Sequence, residues 1–168
     1  MWKYAMPVIL GATLCVMPQL VAAEVIVNDI AFAVEVQDRE PMGHLTPQAS
    51  CENGQPAQTT EMAANGQNGQ SAHSAIPVFD SSTGDRVYFW TKVQSNMSGL
   101  LHHTWYQNAE HGWTEAANVS LNIGESSAYR TWSSKTIDPS LHRGDWKVEV
   151  STDEQPGNVL CTARFRVE

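Results

Sequence analysis

The chain has 168 residues, 17% of them charged, and a formal net charge of −8 at pH 7. Its ten Lys and Arg residues form no basic stripe, which excludes the clustered phosphate contacts of a nucleic-acid binder. The same acidity disfavours anionic lipid surfaces, and no segment beyond the first 23 residues is apolar for long enough to span a bilayer.

Residues 1–23 read as a secretory signal peptide. Lys3 precedes a mostly apolar run from Ala5 to Met17, and Val21-Ala22-Ala23 supplies small residues at a cleavage site. Pro7 interrupts the run and Pro18 ends it, which is too short for a membrane anchor. Leu14 before Cys15 does not suit a lipid-attachment box, where a small residue is needed. Cleavage leaves 145 residues (168 − 23) from Glu24 onward and, without Lys3, a net charge of −9. That length suits one domain, placed in the periplasm or secreted, with no stable membrane insertion. Cys51 and Cys161 remain. An oxidising compartment permits a disulfide between them, though spacing alone also allows two unpaired thiols. A bridge would close a loop of about 110 residues, worth ~4–5 kcal/mol on the chain-entropy model.

Glu24 to Val36 (EVIVNDIAFAVEV) predicts one strand or two short ones, ended by Pro41 and Gly43. From 46 to 76 the chain is Gln, Asn, Gly, Ala, Ser and Thr with few large apolar residues, which predicts a long flexible loop within the domain. Strands then follow in series: Arg86 to Val93, Leu101 to Gln107, one or two within Trp113 to Ile123, Ala128 to Thr136, Asp145 to Ser151 and Val159 to Val167. The turns between them are QSNMSG, AEHG, GESS, DPSLHRG and DEQPGN.

Period-two alternation assigns the faces. His103, Trp105 and Gln107 share one face, with Trp105 as the core anchor of a central strand. Val119, Leu121 and Ile123 share another, as do Trp146, Val148 and Val150. About seven strands at regular spacing, without a helical period, predict an all-β fold: an immunoglobulin-like antiparallel β-sandwich with a long flexible polar loop. A small closed barrel is the alternative. Cys161 has no evident partner on an opposing strand, so an antibody-type disulfide across the sandwich is not expected.

Four groups of residues carry candidate chemistry. His102 and His103 are adjacent, so they point to opposite faces and cannot chelate one metal. His103 is either a core imidazole bonded to a polar neighbour or a binding residue. In YRTWSSK, Tyr129, Thr131, Ser133 and Lys135 share a face, and Arg130 and Trp132 share the other. Each face offers a cation, an aromatic ring and a hydroxyl, which suit a carboxylate or a sugar, or an Arg stem packed across a tryptophan. Trp113, beside the turn at His111 and Gly112, is the tryptophan expected to be exposed. In DREP, Arg39 either belongs to a solvated charge cluster or pins the end of the first strand to a carboxylate. No nucleophile elbow, phosphate loop, dinucleotide turn or zinc-ligand spacing is present, so no catalytic residue, metal or cofactor is expected.

The blocks RVYFWTKV, HHTWYQN, YRTWSSK, GDWKVEV and VLCTARFRV, with QDREP ahead of them, resemble the bacterial domain of unknown function 2914 family. The resemblance runs over Val25 to Gly43 and Arg86 to Val167. Its recurring positions here are Arg39, Glu40, Pro41, His103, Trp105, Arg130, Trp132, Ser133, Lys135, Gly144, Trp146 and Phe165. It implies a small β-rich extracytoplasmic domain and no activity. The expectation is an exported, non-enzymatic binding domain that contacts another envelope protein, with a carbohydrate-binding module as the alternative. The candidate binding residues are Trp113, His103, Arg130, Trp132, Lys135 and Arg39.

Overall fold

A computed structural model describes residues 24–51, 76–80, 86–138, 140–153 and 157–168. The expected signal peptide at 1–23 and the stretch 52–75 lie outside the described residues. Eleven strands are formed among those described: β1 (Val25–Ala33), β2 (Glu35–Gln37), β3 (Glu40–Met42), β4 (Gln48–Cys51), β5 (Val78–Phe79), β6 (Arg86–Ser95), β7 (Gly99–Ala109), β8 (Gly112–Ile123), β9 (Ser126–Thr136), β10 (Gly144–Thr152) and β11 (Val159–Val167). Seven of these have nine or more residues.

The long strands make two sheets. One has the order β1-β6-β9, and the other β4-β11-β10-β7-β8, with β5 added in parallel to β11. In chain order the first two long strands enter the small sheet, the next two the large one, then one the small and two the large. That distribution is an immunoglobulin-like antiparallel sandwich. Each tight turn joins strands that pair or face one another, so the alternation seen in the sequence becomes a single inward face.

The inward residues are those that the alternation assigns. Leu101, His103 and Trp105 of β7 are fully buried, as are Trp146, Val148 and Val150 of β10 and Ala163 and Phe165 of β11. Across the sandwich they meet Ile30, Phe32, Val87, Phe89 and Val93. Aromatic rings join the sheets: Phe32 lies 4.7 Å from Phe165 and Phe89 lies 6.3 Å from Trp105, centroid to centroid. Each such pair adds roughly 0.5–1.5 kcal/mol beyond its buried area.

One expectation needs correction, and the open question of the cysteines is decided. The stretch 46–76 is not loop throughout, because Gln48–Cys51 forms β4. Its side chains bury little, so composition gave no sign of it. It is held by backbone pairing with Arg164 to Cys161 and by the Cys51–Cys161 disulfide. That disulfide joins directly opposed residues of neighbouring strands, with Cα atoms 4.0 Å apart. It lies within one sheet and does not cross the sandwich.

Candidate functional site

The outer face of the large sheet carries the candidate site. Along β10, Asp145, Lys147 and Glu149 alternate with the buried Trp146, Val148 and Val150 and therefore face outward. Lys147 is opposite Tyr106 on β7, and Tyr106 is opposite Glu115 on β8. A register shift after Trp105 sets the end of the β7–β8 hairpin, where Asn108 is opposite Trp113. Tyr106, Trp113 and Lys147 thus converge on one face. The Lys147 ammonium sits 4.6 Å from the Tyr106 ring centroid and 5.3 Å from that of Trp113. It is also paired with the Glu149 carboxylate. Trp113 remains 38% exposed.

The cluster fixes its own electrostatics. The Tyr106 hydroxyl is pushed above its ordinary value, first by desolvation, then by the charges of Glu149 and Glu115. Tyr106 therefore stays a neutral phenol that can donate and accept hydrogen bonds at physiological pH. Beside it, Gln48, Ala49, Ser50, Thr162, Arg164, Lys147 and Glu149 line an open groove of about 520 Å³. Among the described residues Arg164 has no ion-pair partner. The surface offers two rings, hydroxyl and amide groups, one unpaired cation and a bound cation–carboxylate pair. Such a set can hold a polar or aromatic partner but contains no activated nucleophile.

The other expected site residues lie elsewhere. His103 is fully buried, so its place among the binding residues is corrected to a core role. It bonds Ser133 Oγ through Nδ1 at 2.9 Å and Thr91 Oγ1 through Nε2 at 3.3 Å. Trp105 Nε1–H donates to the same Ser133 Oγ at 3.0 Å, and Thr91 Oγ1 donates to the Thr131 carbonyl at 3.3 Å. These partners dictate the tautomer. Ser133 O–H donates to Nδ1, and Nε2–H donates to Thr91, so a neutral His103 satisfies every group in the chain. Burial, followed by the His102 charge, lowers its pKa to about 3.

Arg39 and Arg130 secure the β2–β3 hairpin against the small sheet. Asp38 and Arg39 form its two-residue turn with φ of 50° and 67°, which non-glycine residues seldom adopt. Three contacts hold Arg39 there. Its carbonyl accepts Trp90 Nε1–H at 2.8 Å, and its guanidinium donates to the Arg130 carbonyl at 3.0 Å and lies 5.3 Å over the Tyr129 ring. Arg130 pairs with Glu40 at 2.7 Å, off the line of its Nε–H. Trp132 is half-buried opposite Trp90. Lys135 places its ammonium 5.7 Å from the Trp146 ring centroid at the end of the sandwich. Because β9 belongs to the small sheet, Trp113 and the YRTWSSK strand do not form one sugar site. Tyr106, Lys147, Glu149 and Arg164 were missed. The alternation of DWKVEV marks Lys147 and Glu149 as outward, but only the β7–β10 register brings them to Tyr106.

No curated protein matches the chain. Among solved structures it is similar to an immunoglobulin-like protein (PA1606) from Pseudomonas aeruginosa, at 11% identity and a TM-score of 0.43, covering 86% of this chain and 97% of that one. It is also similar to part of the alkylpurine DNA glycosylase AlkC of Pseudomonas fluorescens, at 14% identity and a TM-score of 0.42, covering 54% of this chain. The chain spans 27% of the length of that glycosylase. The expected family likeness over Val25 to Gly43 and Arg86 to Gly99 falls outside the segment that a family model matches. Residues 100–167, which supply every residue of the candidate surface except those on β4, match the family described as protein of unknown function (DUF2914).

Proposed function

We propose that this chain is an exported binding domain that contacts another envelope protein through the outer face of its large sheet, with Trp113 as the anchor. The observation that carries this reading is the exposed Trp113 ring on β8, held with Tyr106 of β7 around Lys147 of β10. Large aromatic rings held at low entropic cost are the side chains that dominate protein contacts. The Cys51–Cys161 disulfide supports export, since such bridges persist in oxidising compartments. Crosslinking in intact cells, with mass spectrometry of what is attached to the tagged protein, tests the reading. One dominant envelope partner is expected, and Trp113→Ala should remove it. No partner above background, or one indifferent to that change, would refute it.

A glycan is the second reading, favoured by the groove beside the rings, where Gln48, Ser50, Thr162 and Arg164 offer hydrogen bonds. Saturable quenching of tryptophan fluorescence by envelope glycan fragments, lost in Trp113→Ala, would establish it in place of the protein partner.

A further inference from the structure

We infer that two copies of this chain associate by antiparallel pairing of their β8 strands, which joins their large sheets into one. This goes beyond the proposed function and uses a different surface, the sheet edge rather than its outer face.

The chain treats its sheet edges unequally. The outer edge of β11 is covered twice, by β4 along Cys161 to Arg164 and by β5 at Arg166 and Val167. The edge of β1 is bridged by Leu45, whose N–H and C=O both bond Phe32. On β9 the Arg39 guanidinium caps the Arg130 carbonyl. The new edge made by β4 is only four residues long. In contrast, β8 ends its sheet with twelve residues and, among the described residues, no strand, bridge or side-chain cap on its outer side. Proteins blunt such edges with Lys, Pro or short strands. This one has no Pro or Lys, and Glu115 is its only charge. Its inward row of Ala117, Val119 and Leu121 packs against the core yet remains half-buried, although the β7 residues opposite are fully buried. An added strand with an apolar inward row would complete that burial.

A second β8 meets this requirement, and charge selects the geometry. On a twofold axis through Val119, Ala117 faces Leu121 of the other copy and Asn118 faces Ser120, so apolar meets apolar and polar meets polar. The two Glu115 carboxylates then stand eight residues apart along the strand, roughly 26 Å at ~3.3 Å per residue and beyond the ~8 Å Debye length. Parallel in-register pairing would instead oppose Glu115 to Glu115. Trp113 lies beyond the paired stretch and stays available to a partner.

Sedimentation equilibrium of the disulfide-intact protein, with amide hydrogen exchange read on both sides of dissociation, tests the inference. The expected result is a dimer that dissociates on dilution, in which those amides of residues 117–121 that point away from β7 are protected only in the dimer. Leu121→Lys should weaken association roughly tenfold or more by placing a charge in the paired row, with the circular dichroism spectrum unchanged. Trp113→Ala should leave the dimer intact, which separates this result from that of the partner contact. A monomer throughout the accessible concentration range would overturn it, even one whose β8 becomes protected by another protein. A dimer whose β8 amides exchange as fast as in the monomer would overturn it equally.

Discussion

At the scale of single residues, His103 shows how a polar group is accommodated between two sheets. Ser133 accepts from Trp105 and donates to His103, so it serves two buried groups at once. Ser133→Ala should destabilise the fold by about 2–4 kcal/mol, because both partners lose their bond without gaining water. Denaturant unfolding will measure it. The same chain of bonds sets a pH dependence. His103 titrates near 6.5 when unfolded and at about 3 when folded. Below pH 6.5 the unfolded state therefore takes up a proton that the folded state refuses. The stability that this group supports is complete above 6.5 and falls toward pH 3, with a slope that approaches about 1.4 kcal/mol per pH unit. His103→Gln should flatten that part of the acid limb in unfolding curves taken between pH 7 and 4. A histidine beside a core tryptophan was legible in HHTWYQN. The partners that satisfy its two ring nitrogens lie 30 residues away for Ser133 and 12 for Thr91, and only pairing of the sheets identifies them.

At the scale of elements, the short strands between β1 and β6 are each held in place by a few specific links. The Cys51–Cys161 bridge spans 110 residues and fixes β4 on β11. Its reduction should cost about 4–5 kcal/mol on the chain-entropy model. Unfolding midpoints with and without reductant check this, and amide exchange should show β4 released first. The β2–β3 hairpin depends on Arg39 in the same way. Arg39→Ala keeps the strained positive φ but loses the guanidinium bond and the contact with Tyr129, so a loss of roughly 1–2 kcal/mol is expected from thermal unfolding. The seven long strands could be read from alternation and turn residues because each buries one face. β4 could not, since QASC is held by its partner strand and its disulfide and hardly by its own side chains.

At the scale of the whole molecule, the two outer faces differ in kind. That of the small sheet is occupied by the β2–β3 hairpin, through Arg39 on Trp90 and Glu40 with Arg130. That of the large sheet is uncovered among the described residues, with Trp113, Tyr106 and Lys147 at one end of a polar groove. Trp113 was legible because it follows a turn. Its neighbours Tyr106 and Lys147 were not, since they come from two other strands whose order no local pattern reveals. The measurement that bears most directly on this account compares the two faces. A photoreactive side chain is placed at Thr162 on the open face or at Ser134 on β9, and each protein is irradiated in intact cells. The account predicts one crosslinked envelope partner from position 162 and none from 134. Equal capture from both positions, or capture from 134 alone, would contradict it.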